Sequence, residues 1–167
     1  MAFDGDRIVA AGPGEGPAGA TDLGDAVLAP AFVDLQVNGL GSVDLATAEP
    51  AEMVALAREL ARRGVGAFCP TLTTRAADEY APWLGRVEAA RAAAVGDRTA
   101  ATLLGAHLEG PFLGAAPGVH DPTLISAADV PWLDRLLEPD PGGVAVVTIA
   151  PEADPGLVAT RMLVARG

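Results

Sequence analysis

The stretch Thr47–Pro70, TAEPAEMVALARELARRGVGAFCP, reads as one helix, one glycine and one strand. Thr47 or Glu49 can cap the helix, Pro50 sits near its first turn, where a missing N–H costs nothing, and Gly64 closes it. Working outward, the same alternation recurs. AVLAP and AFVDLQVNG precede it as apolar, extended segments separated by Pro30. RAADEYAPWLGRVEAARAAAVG follows as a helix interrupted or bent at Pro82, then ATLLGAHLEG as a strand. SAADVPWLDRLLEP is a capped helix, GVAVVTIAPE a strand, and PGLVATRMLVARG a helix. Strands alternating with helices at this spacing predict βαβ units and a parallel sheet, about four units from Ala31 onward. Residues 1–30 stand apart: RIVAAG is a short strand after an Asp-Gly turn, and GPGEGPAGATD a loop.

At 167 residues the chain has room for one ordinary domain with a core. Only 4% of it is aromatic, so alanine, valine and leucine do most of the packing, which suits helices laid on a sheet. A net charge of -11 repels a phosphate backbone and excludes nucleic acid as an expected partner. A single cysteine, Cys69, allows no internal disulfide and fits a reducing compartment. Asp4, Asp6 and Arg7 break any apolar signal region, and no run reaches the roughly 18 apolar residues of a membrane helix. A cytoplasmic protein with no membrane partner is the expectation.

Residues two apart on a strand share a face. Asp34, Gln36 and Asn38 therefore point one way in FVDLQVNG, and His107 and Glu109 point one way in LLGAHLEG. Gly39 and Gly110 follow at once and let the backbone turn. Parallel α/β folds place their sites at such carboxyl ends. Glu109 there needs a cation, a metal or several donors, and holding loop amides is the other reading. Gln36 and Asn38 can orient a ligand but cannot titrate. His107 reads as a satisfied interior histidine or a ligand. His120, in PGVHDP, reads as a ligand contact over the same sheet end or an exposed turn residue. Thr71, Thr73 and Thr74 can line the mouth, Glu152 is solvated or supporting, and Cys69 is core.

The ordered blocks GDRIVAAG, LAPAFVDLQVNGLGSVDL, GAFCPTLTT, GAHLEGPFLGAAPGVHDP and VTIAPE resemble the N-acetylglucosamine-6-phosphate deacetylases of the amidohydrolase superfamily. HLEGPF with its downstream Gly-x-His-x-Pro is the specific part. The resemblance implies an α/β fold, a partial (β/α)8 TIM-type barrel of about four βα units (31–167), with a remnant of a small N-terminal β domain (1–30). It implies hydrolysis of the acetamide of N-acetylglucosamine 6-phosphate to glucosamine 6-phosphate and acetate. Glu109 matches the glutamate that binds one divalent metal ion, zinc or similar. Val119 and His120 match the positions that contact the amino-sugar phosphate. Gln36 and Asn38 stand where many amidohydrolases carry His-x-His, which implies a single metal with these two beside it. PAF stands where the family usually has PGF.

The family's other two metal-binding histidines and its catalytic aspartate come from later strands, so no catalytic residue is expected in this chain, the aspartate lying beyond residue 167. The chain is read as the N-terminal half of such an enzyme, from a truncated or split gene. It is expected to be nearly inactive alone, to expose barrel edges, and to form a homo-oligomer or take a complementing C-terminal half. The alternative is a catalytically inactive remnant that binds a sugar phosphate or a partner. Cyclic amide hydrolysis is a third reading, opposed by the HLEGPF…GVHDP block.

Overall fold

The computed structural model describes residues 1–5, 7–14, 16–138 and 143–166. Of the positions read above, Asp6, Glu15, the helix end at Pro139 and the last residue, Gly167, lie outside the described residues. The chain divides into two compact units, Met1–Pro30 and Ala31–Gly167.

The first unit carries one antiparallel pair, β1 (Ala2–Asp4) with β2 (Arg7–Ala10), in the register Phe3↔Ile8 and Asp4↔Arg7. Gly5, at φ +59°, takes the left-handed turn conformation that a side chain would disfavour. AVLAP forms no strand. Its proline has no N–H to give a ladder.

In the second unit, β3 (Phe32–Val37), β6 (Val65–Thr73), β8 (Ala106–Glu109) and β9 (Val144–Thr148) pair in parallel, in chain order. A two-residue hairpin ladder, β4 (Gly39–Leu40) with β5 (Val43–Asp44), caps the end of β3. A short strand, β7 (Thr102–Leu103), pairs with the early part of β6. The expected single strand ATLLGAHLEG is thus broken. Gly105, at φ +148°, separates β7 from β8, and a Cβ there would lie 3.2 Å from the Gly143 carbonyl oxygen.

The helices are α1 (Pro50–Arg62), α2 (Tyr80–Ala94), α3 (Val130–Leu137) and α4 (Val158–Arg166). Helix α1 starts as the sequence suggests: Glu49 is the cap, Pro50 follows, and the Glu52 carboxylate accepts the Glu49 N–H at 2.8 Å. Pro82 does not bend α2. It occupies the first turn of a helix that begins only at Tyr80, where its missing N–H has no intrahelical partner to lose.

Period-2 alternation sorts the sheet residues. Phe68, Leu72, Ala106 and Leu108 join the core with Leu56, Leu60, Trp83 and Val87 of α1 and α2. Cys69, Thr71, Thr73, His107 and Glu109 face the other way. Trp83 anchors the core; it is 1% exposed, and its indole N–H donates to the Leu45 carbonyl at 2.7 Å. Trp132 of α3 makes edge contacts with Tyr80 and Phe112, at centroid distances of 5.1 and 5.8 Å. It thereby links the main core to the smaller cluster of Phe112, Leu133, Ala153 and Ala159. Burial raises the Tyr80 phenol to about 12. At the start of β3, the Ala31 methyl lies against Gly66, and a Cβ on Gly66 would approach it to 2.7 Å.

Two aspartates tie loops to helices. Asp154, 2% exposed, accepts from the Ala159 N–H at 3.0 Å, the Thr160 N–H at 2.8 Å and the Thr160 hydroxyl at 2.7 Å. Burial raises its carboxyl, but the hydrogen bonds from Thr160 and Ala159 outweigh burial and leave it below the ordinary value. Asp97 is held at about 2 by the hydroxyl and backbone of Thr99 and by Arg58, whose Nε is 2.8 Å away. A carboxyl held low in the folded state stabilises the fold above its unfolded value of 3.8, and that contribution is lost as pH falls toward 2. An acid titration followed by circular dichroism is expected to lose stability in this window, and Asp97→Asn to flatten that part of the curve. An unchanged slope in the variant would contradict the assignment.

Candidate active site

The carboxyl ends of β3, β6, β8 and β9 meet in one place because the strands are parallel and in register. Thr71 stands beside His107, and Thr73 beside Glu109, which in turn pairs with Thr148. A cleft of about 560 Å³ opens there. Gln36, Asn38, Thr73, Arg75, Glu109 and Val119 line it, with the β4–β5 hairpin as one rim. Gly39 is what lets that hairpin close: a Cβ would sit 2.3 Å from the Val43 carbonyl oxygen.

Glu109 is partly shielded, with 21% of its side chain exposed. Its carboxylate accepts no loop amide among the described residues. The nearest charged partner is His120, with Nε2 3.8 Å from Oε1, outside hydrogen-bond range. Of the two roles open to this side chain, bracing a loop therefore has no hydrogen bond behind it, and a carboxylate facing a cleft remains. Gln36 and Asn38 are exposed on the same wall, and Val119 projects at 93% exposure.

His120 is not an exposed turn residue. It is 8% exposed, and its Nδ1 lies 3.1 Å from the Thr74 N–H and 2.8 Å from the Thr74 hydroxyl. It stands behind Glu109 rather than among the residues that line the cleft. His107 is a satisfied interior histidine, 4% exposed: Nδ1 meets the Leu35 carbonyl at 2.9 Å and Nε2 the Thr148 hydroxyl at 2.7 Å. It straps β8 to β3 and β9. Thr71 assists the strap. Its hydroxyl accepts the Val37 N–H at 3.1 Å, where β3 runs beside Pro70, a residue with no N–H of its own. Cys69 is fully buried, and burial, with the nearby Asp34 charge, raises its thiol, so it is no nucleophile. Glu152 is exposed, its carboxylate against Gly114.

Sequence reasoning did not single out Arg75, which brings the cation to the cleft lining. It follows the last strand residue of β6, where periodicity gives no signal. Among the described residues, no group of three or more histidine, cysteine, aspartate or glutamate side chains could hold a metal ion. Glu109 suits a divalent cation as one oxygen ligand, but a catalytic zinc takes three protein ligands.

Two sets of known proteins share these features. The N-acetylglucosamine-6-phosphate deacetylase of Homo sapiens is 37% identical over 155 residues, covering 87% of this chain and 36% of the relative. By sequence and by fold, the chain belongs to the N-acetylglucosamine-6-phosphate deacetylase family. The N-acetylgalactosamine-6-phosphate deacetylase of Escherichia coli O157:H7 is 34% identical over 148 residues, covering 88% of this chain and 38% of its own length. The crystal structure of the family's Mycobacterium smegmatis deacetylase superposes with a TM-score of 0.66 at 31% identity, covering 83% of this chain and 38% of that one. A variant of that deacetylase has been solved in complex with N-acetyl-D-glucosamine-6-phosphate. No protein-family model matches. The chain spans little more than a third of the length of these deacetylases. No helix among the described residues is long and apolar enough to cross a membrane.

Proposed function

We propose that the chain supplies the amino-terminal part of a metal-dependent deacetylase of N-acetylglucosamine 6-phosphate, as half of a (β/α)8 barrel with a small β unit before it. The observation that carries this reading is Glu109, a carboxylate free of loop amides at the end of an inner strand, sharing one cleft with Gln36, Asn38 and Val119. Sequential strand order supports the barrel. With right-handed crossovers, parallel strands added in chain order place every helix on one face, as in a singly wound barrel, whereas a doubly wound sheet reverses its order.

Glu109 would be one ligand of the divalent ion, zinc or a similar metal. When bound, such an ion polarises an amide carbonyl and makes water more acidic. The other ligands and the proton-shuttling aspartate would have to come from outside this chain, so no hydrolytic step is assigned to these residues alone. Gln36 and Asn38 orient the acyl-sugar end, and Val119 and His120 contact the sugar phosphate. The lack of a three-donor group favours, for the chain by itself, binding of a sugar phosphate without turnover.

The test is a chimera in which this chain replaces the matched segment of the Mycobacterium smegmatis deacetylase. It is expected to release acetate from N-acetylglucosamine 6-phosphate when a divalent metal is supplied. Glu109→Gln should cut that rate by about 100-fold. A folded, metal-loaded chimera that releases no acetate overturns the reading.

A further inference from the structure

The chain has two histidines, and their hydrogen bonds demand opposite tautomers. At His107, Nδ1 lies 2.9 Å from the Leu35 carbonyl oxygen, which can only accept, so Nδ1 carries the proton and Nε2 accepts from the Thr148 hydroxyl. At His120, the Thr74 backbone N–H, which can only donate, points at Nδ1 from 3.1 Å. Nδ1 must then be bare, and the proton of the neutral ring lies on Nε2, the nitrogen that faces Glu109.

We propose that Thr74 is the positioning residue that holds His120 as an Nε2–H donor on the Glu109 side of the cleft. Its backbone and its side chain act on the same ring nitrogen. The hydroxyl lies 2.8 Å from Nδ1, with the Glu109 carbonyl as a second acceptor at 3.4 Å. Space for that hydroxyl exists only because residue 110 is glycine. At φ +89°, a Cβ there would come to 2.2 Å from Thr74 Oγ1. Neither nitrogen of His120 has another hydrogen-bond partner among the described residues, so the Thr74 contacts decide its orientation.

The functional consequence follows from the proton count. A neutral imidazole with Nε2–H donates toward an acceptor placed at Glu109 and takes no proton there. That consequence rests on the deacetylase reading for the identity of the acceptor. The tautomer itself does not.

The test is 15N NMR of the two imidazoles in the whole chain, at a pH about two units above the ordinary imidazole value so that both rings are neutral. The wild-type chain should show one Nδ1–H ring, His107, and one Nε2–H ring, His120. Thr74→Val keeps the backbone N–H and removes the hydroxyl. It should move the His120 signals toward the tautomer average, while Thr74→Ser restores them and His107 stays fixed as the internal measure of folding. A wild-type His120 with its proton on Nδ1, or His120 signals unmoved by Thr74→Val, overturns the proposal. Should Thr74→Val also displace the His107 signals, the variant has lost its fold and the wild-type and Thr74→Ser spectra decide: Nε2–H in both supports the proposal, and anything else overturns it. Failure of the deacetylase reading would show as a silent chimera and leave these spectra as they are.

Discussion

Trp83→Ala is expected to cost about 3–5 kcal/mol and to lower the thermal midpoint by about 10 °C. The side chain is 1% exposed between α1, α2 and the sheet, so truncation opens a cavity that neighbours on three elements cannot collapse to fill. It also strands the Leu45 carbonyl, which loses the indole N–H at 2.7 Å. The second loss reaches the cleft. Leu45 lies between β5 and α1, its own N–H is donated to the Asn38 carbonyl at 2.9 Å, and Ala46 beside it lines the cleft. Trp83→Phe keeps most of the volume and loses only the donor, so it should recover most of the stability but not the rigidity of that rim. A Trp83→Ala chain melting within a degree or two of the parent would show that the core tolerates the void.

Self-association of the chain at micromolar concentration is the second large effect expected. Strand β3 is an edge, and Phe32, Val33 and Leu35 are 71%, 60% and 53% exposed. These three neighbours place large side chains on both faces of one unpaired strand. An edge with free N–H and C=O groups and no charge except Asp34 invites pairing with another chain. Size-exclusion chromatography with light scattering should find species larger than one chain, and Val33→Lys with Leu35→Lys should shift them to the monomer. A parent chain that elutes as a stable monomer at high concentration would count against this account.

How much of this was legible depended on the range of the physics involved. Helix α1 could be read because its cap, proline and glycine all lie within one short stretch. The shared face of His107 and Glu109 could be read because strand alternation needs no knowledge of what lies opposite. The break at Gly105 was hidden, since the apolar run Leu103–Leu104 before it reads as continuous strand. Pro82 misled for a related reason: its effect depends on where the helix starts, and Arg75–Glu79 carry helix formers that the fold uses as a turn. The β4–β5 ladder is only two residues per strand, too short for any period. Least legible were contacts joining residues 74 and 120, or 35, 107 and 148. No local pattern announces which threonine will meet which imidazole.

The contact between Ala31 and Gly66 bears on the order in which changes can accumulate here. With a methyl already at 31, a methyl at 66 has nowhere to go. Revert 31 to glycine, and 66 becomes free to vary. Each position therefore sets the tolerance of the other, and a lineage that acquired alanine at 31 closed one neighbouring route while leaving the backbone path unchanged. Historical contingency of this kind is written into a single close approach.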